Sequence, residues 1–329
     1  MKRKILRIIF ILVLLLLVGI GVLLAYVKTA LPNVGPAPDM KIEPTAERIE
    51  RGRYLANYVM VCIDCHSSRD WSLFAGPIVS GTEGKGGDVF NQTLGFPGAY
   101  VAKNITPAAL SSWTDGEIFR AITTGVSKDG HPLFPIMPYP NFGQLDEEDI
   151  KSVIAYIRTL PGIENTPAKS HSDFPMNFII NTIPQKAQLA KAPSRDNTVE
   201  YGKYLVTAAS CHTCHTREEK GKFVGEDFAG GREFPFPDGS IARSANITPH
   251  ATGIGNWTEE MFMKKFRQYS DSTYRDRKVA PGTQQTLMPW TMYTHMEDQD
   301  LKAIFAYLRT LPPVDNFPEK FTPSSSVSK

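Results

Sequence analysis

The sequence predicts an all-α protein, with one membrane-spanning helix at the N-terminus and two tandem copies of a small helical domain behind it. Three observations predict this. Residues 8–27 carry no charge; four blocks of sequence recur in the same order in both halves; and the regular segments carry apolar residues at helical rather than alternating spacing.

The chain starts "MKRKILRIIFILVLLLLVGIGVLLAYVKTALP". The uncharged run from Ile8 to Val27 is about 20 residues, roughly 30 Å as a helix, which matches the hydrocarbon core of a bilayer. A cleaved signal peptide would have a shorter apolar region and small residues at its cleavage site. Here the candidate site "VKTA" puts Lys28 at the −3 position, so residues 1–28 are read as an uncleaved signal anchor. Lys2, Arg3, Lys4 and Arg7 precede the helix and place the N-terminus in the cytoplasm, with the rest of the chain outside. Those four charges also dominate the balance. The formal net charge is +2, which leaves −2 for the remainder. A nucleic-acid partner is excluded, because no basic stripe is available to neutralise phosphates.

After a linker (29–44) comes the first domain, 45–162; a second linker (163–196) leads to the second domain, 197–314. "RGRYLANYVMVCIDCH" parallels "YGKYLVTAASCHTCH", and "NITPAALSSWTDGEIF" parallels "NITPHATGIGNWTEEMF". "FPIMPYPNF" parallels "QTLMPWTMY", and "DEEDIKSVIAYIRTLPG" parallels "MEDQDLKAIFAYLRTLPP". Duplication of one domain is the simple account. Ile150, Val153, Ile154 and Ile157 fall at i, i+3, i+4, i+7, as do Leu301, Ile304, Phe305 and Leu308. Both of these helices open with acidic residues and stop at Pro161 and Pro312. Thr114 with Glu117, and Asn197 with Glu200, read as capping boxes. Stretches such as "GPIVSGTEGKGG" are loops, and no alternating pattern is long enough for a sheet. The segment 163–196 reads as a linker packed on both domains, and 315–329 as a flexible tail.

The chemistry lies in a motif. Cys62-x-x-Cys65-His66 returns as Cys211-x-x-Cys214-His215, and together the two use all 4 cysteines. Three chemistries use a Cys-x-x-Cys pair: a structural zinc site, a thioredoxin-like redox motif and covalent haem attachment. Zinc would need a second ligand pair nearby, and redox catalysis a strand–helix context. The adjacent histidine favours haem. Two thioether bonds fix the macrocycle, and the next side chain reaches the iron.

With these motifs the chain resembles class I c-type cytochromes, from about 45 to 314. In that family a first helix leads into Cys-x-x-Cys-His, a methionine about 70 residues on supplies the sixth iron ligand, and a final helix crosses the first. The resemblance implies a cytochrome c domain in each half and two covalently bound haem c groups. It also gives roles to Gly52 with Tyr156 and to Gly202 with Tyr307, a glycine on the first helix admitting an aromatic of the last. The duplicated form, with "NITP" and "MPY" motifs, looks like the membrane-associated multihaem cytochrome subunits of bacterial periplasmic dehydrogenases; those often carry three haems, this chain two.

The expected iron ligands are His66 with Met137 and His215 with Met288. Between His66 and Leu160 the only methionine is Met137 and the only other histidine is His131, which has no counterpart in the second copy. The His-to-Met separations are 71 and 73 residues. His212 is expected at the surface beside the haem edge, Trp113 and Trp257 in the core, and Arg120 on a solvated helix face. Asn104 and Asn246 read equally as turn residues or as hydrogen-bond donors near a propionate.

With histidine and methionine filling both axial positions, one-electron transfer remains. The expected protein is not an enzyme but a dihaem electron carrier. It would be single-pass in the cytoplasmic membrane with its haem domains on the periplasmic side, taking electrons from a periplasmic dehydrogenase toward a cytochrome or terminal oxidase. The alternative is a dihaem cytochrome c peroxidase, which needs one haem with a releasable sixth position and hence unequal halves.

Overall fold

The computed structural model describes residues 2–280 and 282–324. Lys2–Thr29 is a single helix of 28 residues with no buried side chain. At 1.5 Å per residue it is about 42 Å long. Its most apolar stretch has a mean hydropathy of 3.4, so it is long and apolar enough to cross a membrane.

The rest of the chain folds the same way twice. In the first copy a leading helix, Ala46–Tyr54, crosses a closing helix, Glu147–Ile157. In the second, Thr198–Ala208 crosses Asp298–Leu308. Each crossing is tight enough to require glycine. A Cβ on Gly52 would stand 1.8 Å from the Ser152 carbonyl oxygen, and one on Gly202 would stand 1.9 Å from that of Ala303. Tyr156 and Tyr307 lie beside the same two glycines. The apolar stripes of the closing helices face inward as their spacing requires, with Ile150, Val153, Ile154 and Leu301 all 0% exposed. Each such side chain contributes roughly 2 kcal/mol of transfer free energy. Thr45 and Asp146 cap the two helices of the first copy by accepting from the backbone N–H groups of Arg48 and Glu148. Thr114 and Glu117 form the capping box read from the sequence.

The two copies differ by one residue between leading helix and motif, Tyr54 to Cys62 against Tyr204 to Cys211. The extra residue is taken up as a π-helical turn, Leu55–Val59. Both copies then place a left-handed residue directly before the first cysteine, Val61 at φ 48° and Ser210 at φ 56°. A β-branched residue is strained there, so the turn into the motif is held against local preference.

The all-α expectation needs correction. Among the described residues three small antiparallel sheets occur, with strands of two to four residues. Val89–Phe90 pairs with Gly98–Val101, which pairs with His171–Ser172 of the second linker. Lys222–Phe223 pairs with Glu218–Glu219. Glu233–Pro235, Ile241–Arg243 and Phe321–Thr322 form the third. That last strand also corrects the tail. Residues 315–324 are tied down by this pairing and by Asn316, which donates to the Ala229 carbonyl at 2.8 Å; residues 325–329 lie outside the described residues. Asn197 starts its helix without a side-chain cap bond.

The linkers are packed segments. Ile42 N–H donates to Asp115 at 2.8 Å. In the second linker Gln188 N–H donates to the Gly143 carbonyl at 2.7 Å and Ala192 N–H to Asp146 at 2.9 Å, while Arg195 reaches Glu297 of the second copy at 2.6 Å. The two copies share one continuous apolar core. They meet in a crossed manner: Tyr139–Phe142 of the first packs on the leading helix of the second, and Trp290–Tyr293 of the second packs on the π turn of the first.

Candidate haem-attachment site

Each Cys-x-x-Cys-His motif forms a short helix, Cys62–Cys65 and Cys211–His215. The four thiols are unpaired. Cys62, Cys65 and Cys211 are half-buried and Cys214 is exposed; even so, desolvation raises all four thiols, Cys62, Cys65 and Cys211 to about 12. The imidazoles of His66 and His215 are likewise half-exposed, yet desolvation lowers their pKa.

The histidines are oriented identically. The Nδ1 of His66 lies 2.6 Å from the Lys103 carbonyl oxygen, and that of His215 lies 2.7 Å from Ala245 O. A carbonyl can only accept, so Nδ1 carries the proton and the Nε2 lone pair is left for a metal. The backbone of each motif histidine is held as well. Gly86 N–H donates to the His66 carbonyl at 2.9 Å, and Gly230 N–H to that of His215 at 2.7 Å. Both glycines are left-handed, at φ 71° and φ 75°, and a Cβ on either would stand 2.4 Å from the carbonyl carbon of Lys103 or Ala245. The glycine pairs "GKGGD" and "FAGGRE" recur at matching places in the sequence, and that repetition is the sequence signal of this bracing.

Next to these carbonyls, Asn104 and Asn246 turn out to be structural locks. Each is 4% exposed. The Asn104 carboxamide accepts from the Thr106 N–H and hydroxyl at 2.9 and 2.8 Å and donates to Ile163 O and Asn165 O at 2.8 and 3.0 Å. Asn246 makes the same four bonds, to Thr248, Val314 and Asn316, at the same distances.

Met137 and Met288 sit in equivalent turns. The residue two positions on, Tyr139 or Trp290, donates its N–H back to the methionine carbonyl at 2.7 Å in both. Both methionines are half-buried against the shared core, as are Trp113 and Trp257. Each methionine loop is braced by the opposite copy. Asn141 donates to the Thr213 hydroxyl at 3.1 Å, inside the second motif. Gln285 accepts from Ala75 N–H at 2.8 Å and donates to Leu73 O at 2.9 Å.

The surroundings are not identical. Asp64, inside the first motif, forms a buried pair with Arg69 at 3.1 Å, and burial raises its pKa to about 6 against that cation. Thr213 stands in its place in the second motif. His212 bonds Asp227 at 2.7 Å and lies edge-on to Phe223 and Phe228. His131 is exposed. Arg120 departs from the expected solvated face: it is half-buried and donates to the carbonyls of Ser127 and Lys128, and among the described residues its Nε has no partner.

The donor set fits haem c: paired thiols on one helical turn, an imidazole with Nε2 free, and a thioether in a loop against the same core. Residues 199–312 match the cytochrome c family, and with that family comes covalently bound haem c. The chain is 27% identical over 289 residues to the cytochrome c subunit of the quinone alcohol dehydrogenase of Komagataeibacter europaeus, covering 81% of this chain and 56% of that one. It is 26% identical to the gluconate 2-dehydrogenase cytochrome c subunit of Pantoea cypripedii, over 85% of this chain and 63% of that one. It is also 26% identical to a dihaem c-type cytochrome of Cereibacter sphaeroides, over 77% and 83%. The chain thus spans little more than half the length of the dehydrogenase subunits it matches. It resembles dihaem c-type cytochromes and, among them, the cytochrome c subunits of dehydrogenases.

Proposed function

We propose that this protein is a membrane-anchored dihaem electron carrier, with one haem c site in each of the two domains, 45–162 and 197–314. The observation that carries this reading is the duplicated histidine lock, in which both Nδ1 atoms are spent on a backbone carbonyl and both Nε2 lone pairs are left for a metal. In it Cys62 and Cys65, and Cys211 and Cys214, hold the macrocycles by thioether bonds. His66 with Met137, and His215 with Met288, would be the residues that ligate the iron. A bound haem supplies one-electron redox chemistry. The protein's residues do the rest: they orient the imidazoles and brace each methionine loop from the opposite copy. Methionine opposite histidine raises the potential relative to two nitrogen donors, which suits a carrier late in a respiratory chain.

The relatives named above support a dehydrogenase as donor, and a cytochrome or terminal oxidase as acceptor follows from the high-potential ligand set. Lys2–Thr29 serves as the anchor, with the haem domains on the periplasmic side, as the basic residues before it require. The test is haem stoichiometry. Purified full-length protein carries two haems per chain that survive denaturing electrophoresis. Replacing Cys211 and Cys214 together with Ser halves the content. One haem in the unmodified protein, or zinc at either motif, sinks the reading.

A further inference from the structure

The segment "DFPMNFIINTIP" (173–184) stands out within an otherwise polar linker, and nothing described so far uses it. From Phe174 to Gln185 it carries no charge. It folds as two short turns, Met176–Ile179 and Ile180–Thr182, and both pack against the long apolar helix Lys2–Thr29. Two contacts fix the level at which they meet. The Lys28 ammonium donates to the Asn177 carbonyl at 2.6 Å, and it lies 5.0 Å from the centre of the Phe178 ring. Ile180 is buried, 9% exposed. The outward side chains are apolar: Phe174 is 81% exposed and Ile179 44%.

Phe174 and Ile179 form an apolar patch beside a fully exposed apolar helix, and a contiguous patch of this kind marks a contact surface. Its position explains it. Val27 is the last residue of the uncharged run, and Lys28 marks where a spanning helix would leave the hydrocarbon. Side chains level with Lys28 therefore lie at the headgroup boundary, where apolar groups are buried to a depth of about 5–10 Å. Lys28 is the cation of this patch and sits at the phosphate level.

We infer that residues 174–179 form a second membrane contact, in which Phe174 and Ile179 insert into the outer-leaflet interface beside the anchor helix. This rests on the anchor reading above. The occupant is lipid rather than a protein subunit because the patch continues the lipid-facing surface of the helix it packs on. Two points of attachment fix a tilt where a single helix leaves a swivel. The second point is tied to the first domain through the strand His171–Ser172 on Gly98–Val101.

The experiment uses full-length haem-loaded protein in phosphatidylcholine–phosphatidylglycerol vesicles, in the ferrous state. A nitroxide label is attached to Phe174→Cys or Ile179→Cys, with Leu17→Cys as the anchor control and Lys203→Cys as the aqueous control. Relaxation of each label by oxygen, which concentrates in lipid, is compared with relaxation by a water-soluble nickel chelate. The labels at 174 and 179 should favour oxygen several-fold over nickel, as at 17, with the reverse at 203. Nickel accessibility at 174 and 179 with oxygen preference at 17 would overturn the second contact and leave the anchor standing. Nickel accessibility at 17 would overturn the anchor and the proposal with it. Labels at 174 and 179 shielded from both reagents would mean a protein cover, and would also overturn it.

Discussion

The Tyr54 hydroxyl donates to Asp300 across the domain interface at 2.7 Å, and the Tyr204 hydroxyl donates to Asp149 in the opposite direction at 2.6 Å. The same hydroxyls accept from the backbone N–H of Glu297 and Asp146, at 3.0 and 3.2 Å. Tyr54 corresponds to Tyr204 in the repeat, and Asp149 to Asp300. The two copies are therefore joined by reciprocal bonds, but their surroundings differ. Asp149 also takes a two-pronged bond from Arg51, both prongs at 2.8 Å. Asp300 has Arg195 at 3.8 Å, and among the described residues its Oδ1 has no hydrogen-bond partner.

That difference predicts unequal mutants. Tyr54→Phe leaves a buried carboxylate with no hydroxyl donor and should cost about 2–3 kcal/mol; Tyr204→Phe leaves the Arg51 fork intact and should cost about 1 kcal/mol. Denaturant unfolding of the solubilised protein decides it. Equal losses would mean that Arg51 does not stand in for the missing hydroxyl.

Asp300 also predicts a pH dependence. Burial is the largest influence on it and raises its pKa above the ordinary 3.8, with the Tyr54 hydrogen bond and Arg195 opposing. The unfolded state then ionises first as pH rises, so the native protein binds more protons in this window and loses stability. The loss begins near pH 3.8 and is complete once the folded pKa is passed. In Asp300→Asn this part disappears, so the stability of wild type relative to the variant should fall with rising pH and then level off. A constant difference from pH 3 to 7 would contradict it.

Gly86→Ala and Gly230→Ala should each strike one site. The new methyl group meets the backbone that holds the histidine, in a left-handed conformation that already disfavours alanine by about 1–2 kcal/mol. Total destabilisation of about 3 kcal/mol is expected. Haem content should drop toward one per chain, lost from the first site in Gly86→Ala and from the second in Gly230→Ala. If both variants load fully, the carbonyl lock is dispensable.

The methionines separate carrier from peroxidase. With both present, ferric protein should show the weak far-red absorption of an iron–sulfur bond, scaled to two haems. Met137→Ala and Met288→Ala should each remove about half and lower one potential, since sulfur favours ferrous iron. Brisk peroxide turnover by the unmodified protein would favour the peroxidase.

Much of this was legible in the sequence because duplication writes each feature twice. The apolar stripes of the closing helices and the Thr114–Glu117 cap are set by local spacing, and spacing survives in one dimension; the roles of Gly52 and Gly202 were implied by the family resemblance. The sheets were not legible, since strands of two to four residues carry too little alternation and find partners far away, as Ser172 does on Gly98. The Asn104 and Asn246 locks left two readings open. Their partners at Ile163 and Val314 lie some sixty residues on, beyond any local pattern. Arg120 misled for the same reason: its helical position suggested solvent, while the loop at Ser127 folds back over it.

A contact in which tyrosine of one copy meets aspartate of the other, and the converse, is the kind a two-fold axis makes in a homodimer. Joined in one chain, the copies no longer have to mutate together. In a homodimer every substitution appears on both sides of the axis, so a change useful to one cofactor is imposed on its twin. Here Arg51 is replaced by Tyr201 at the matching position of the repeat, and Asp64 by Thr213. Covalent linkage is what lets one inherited scaffold hold two unlike electrostatic environments.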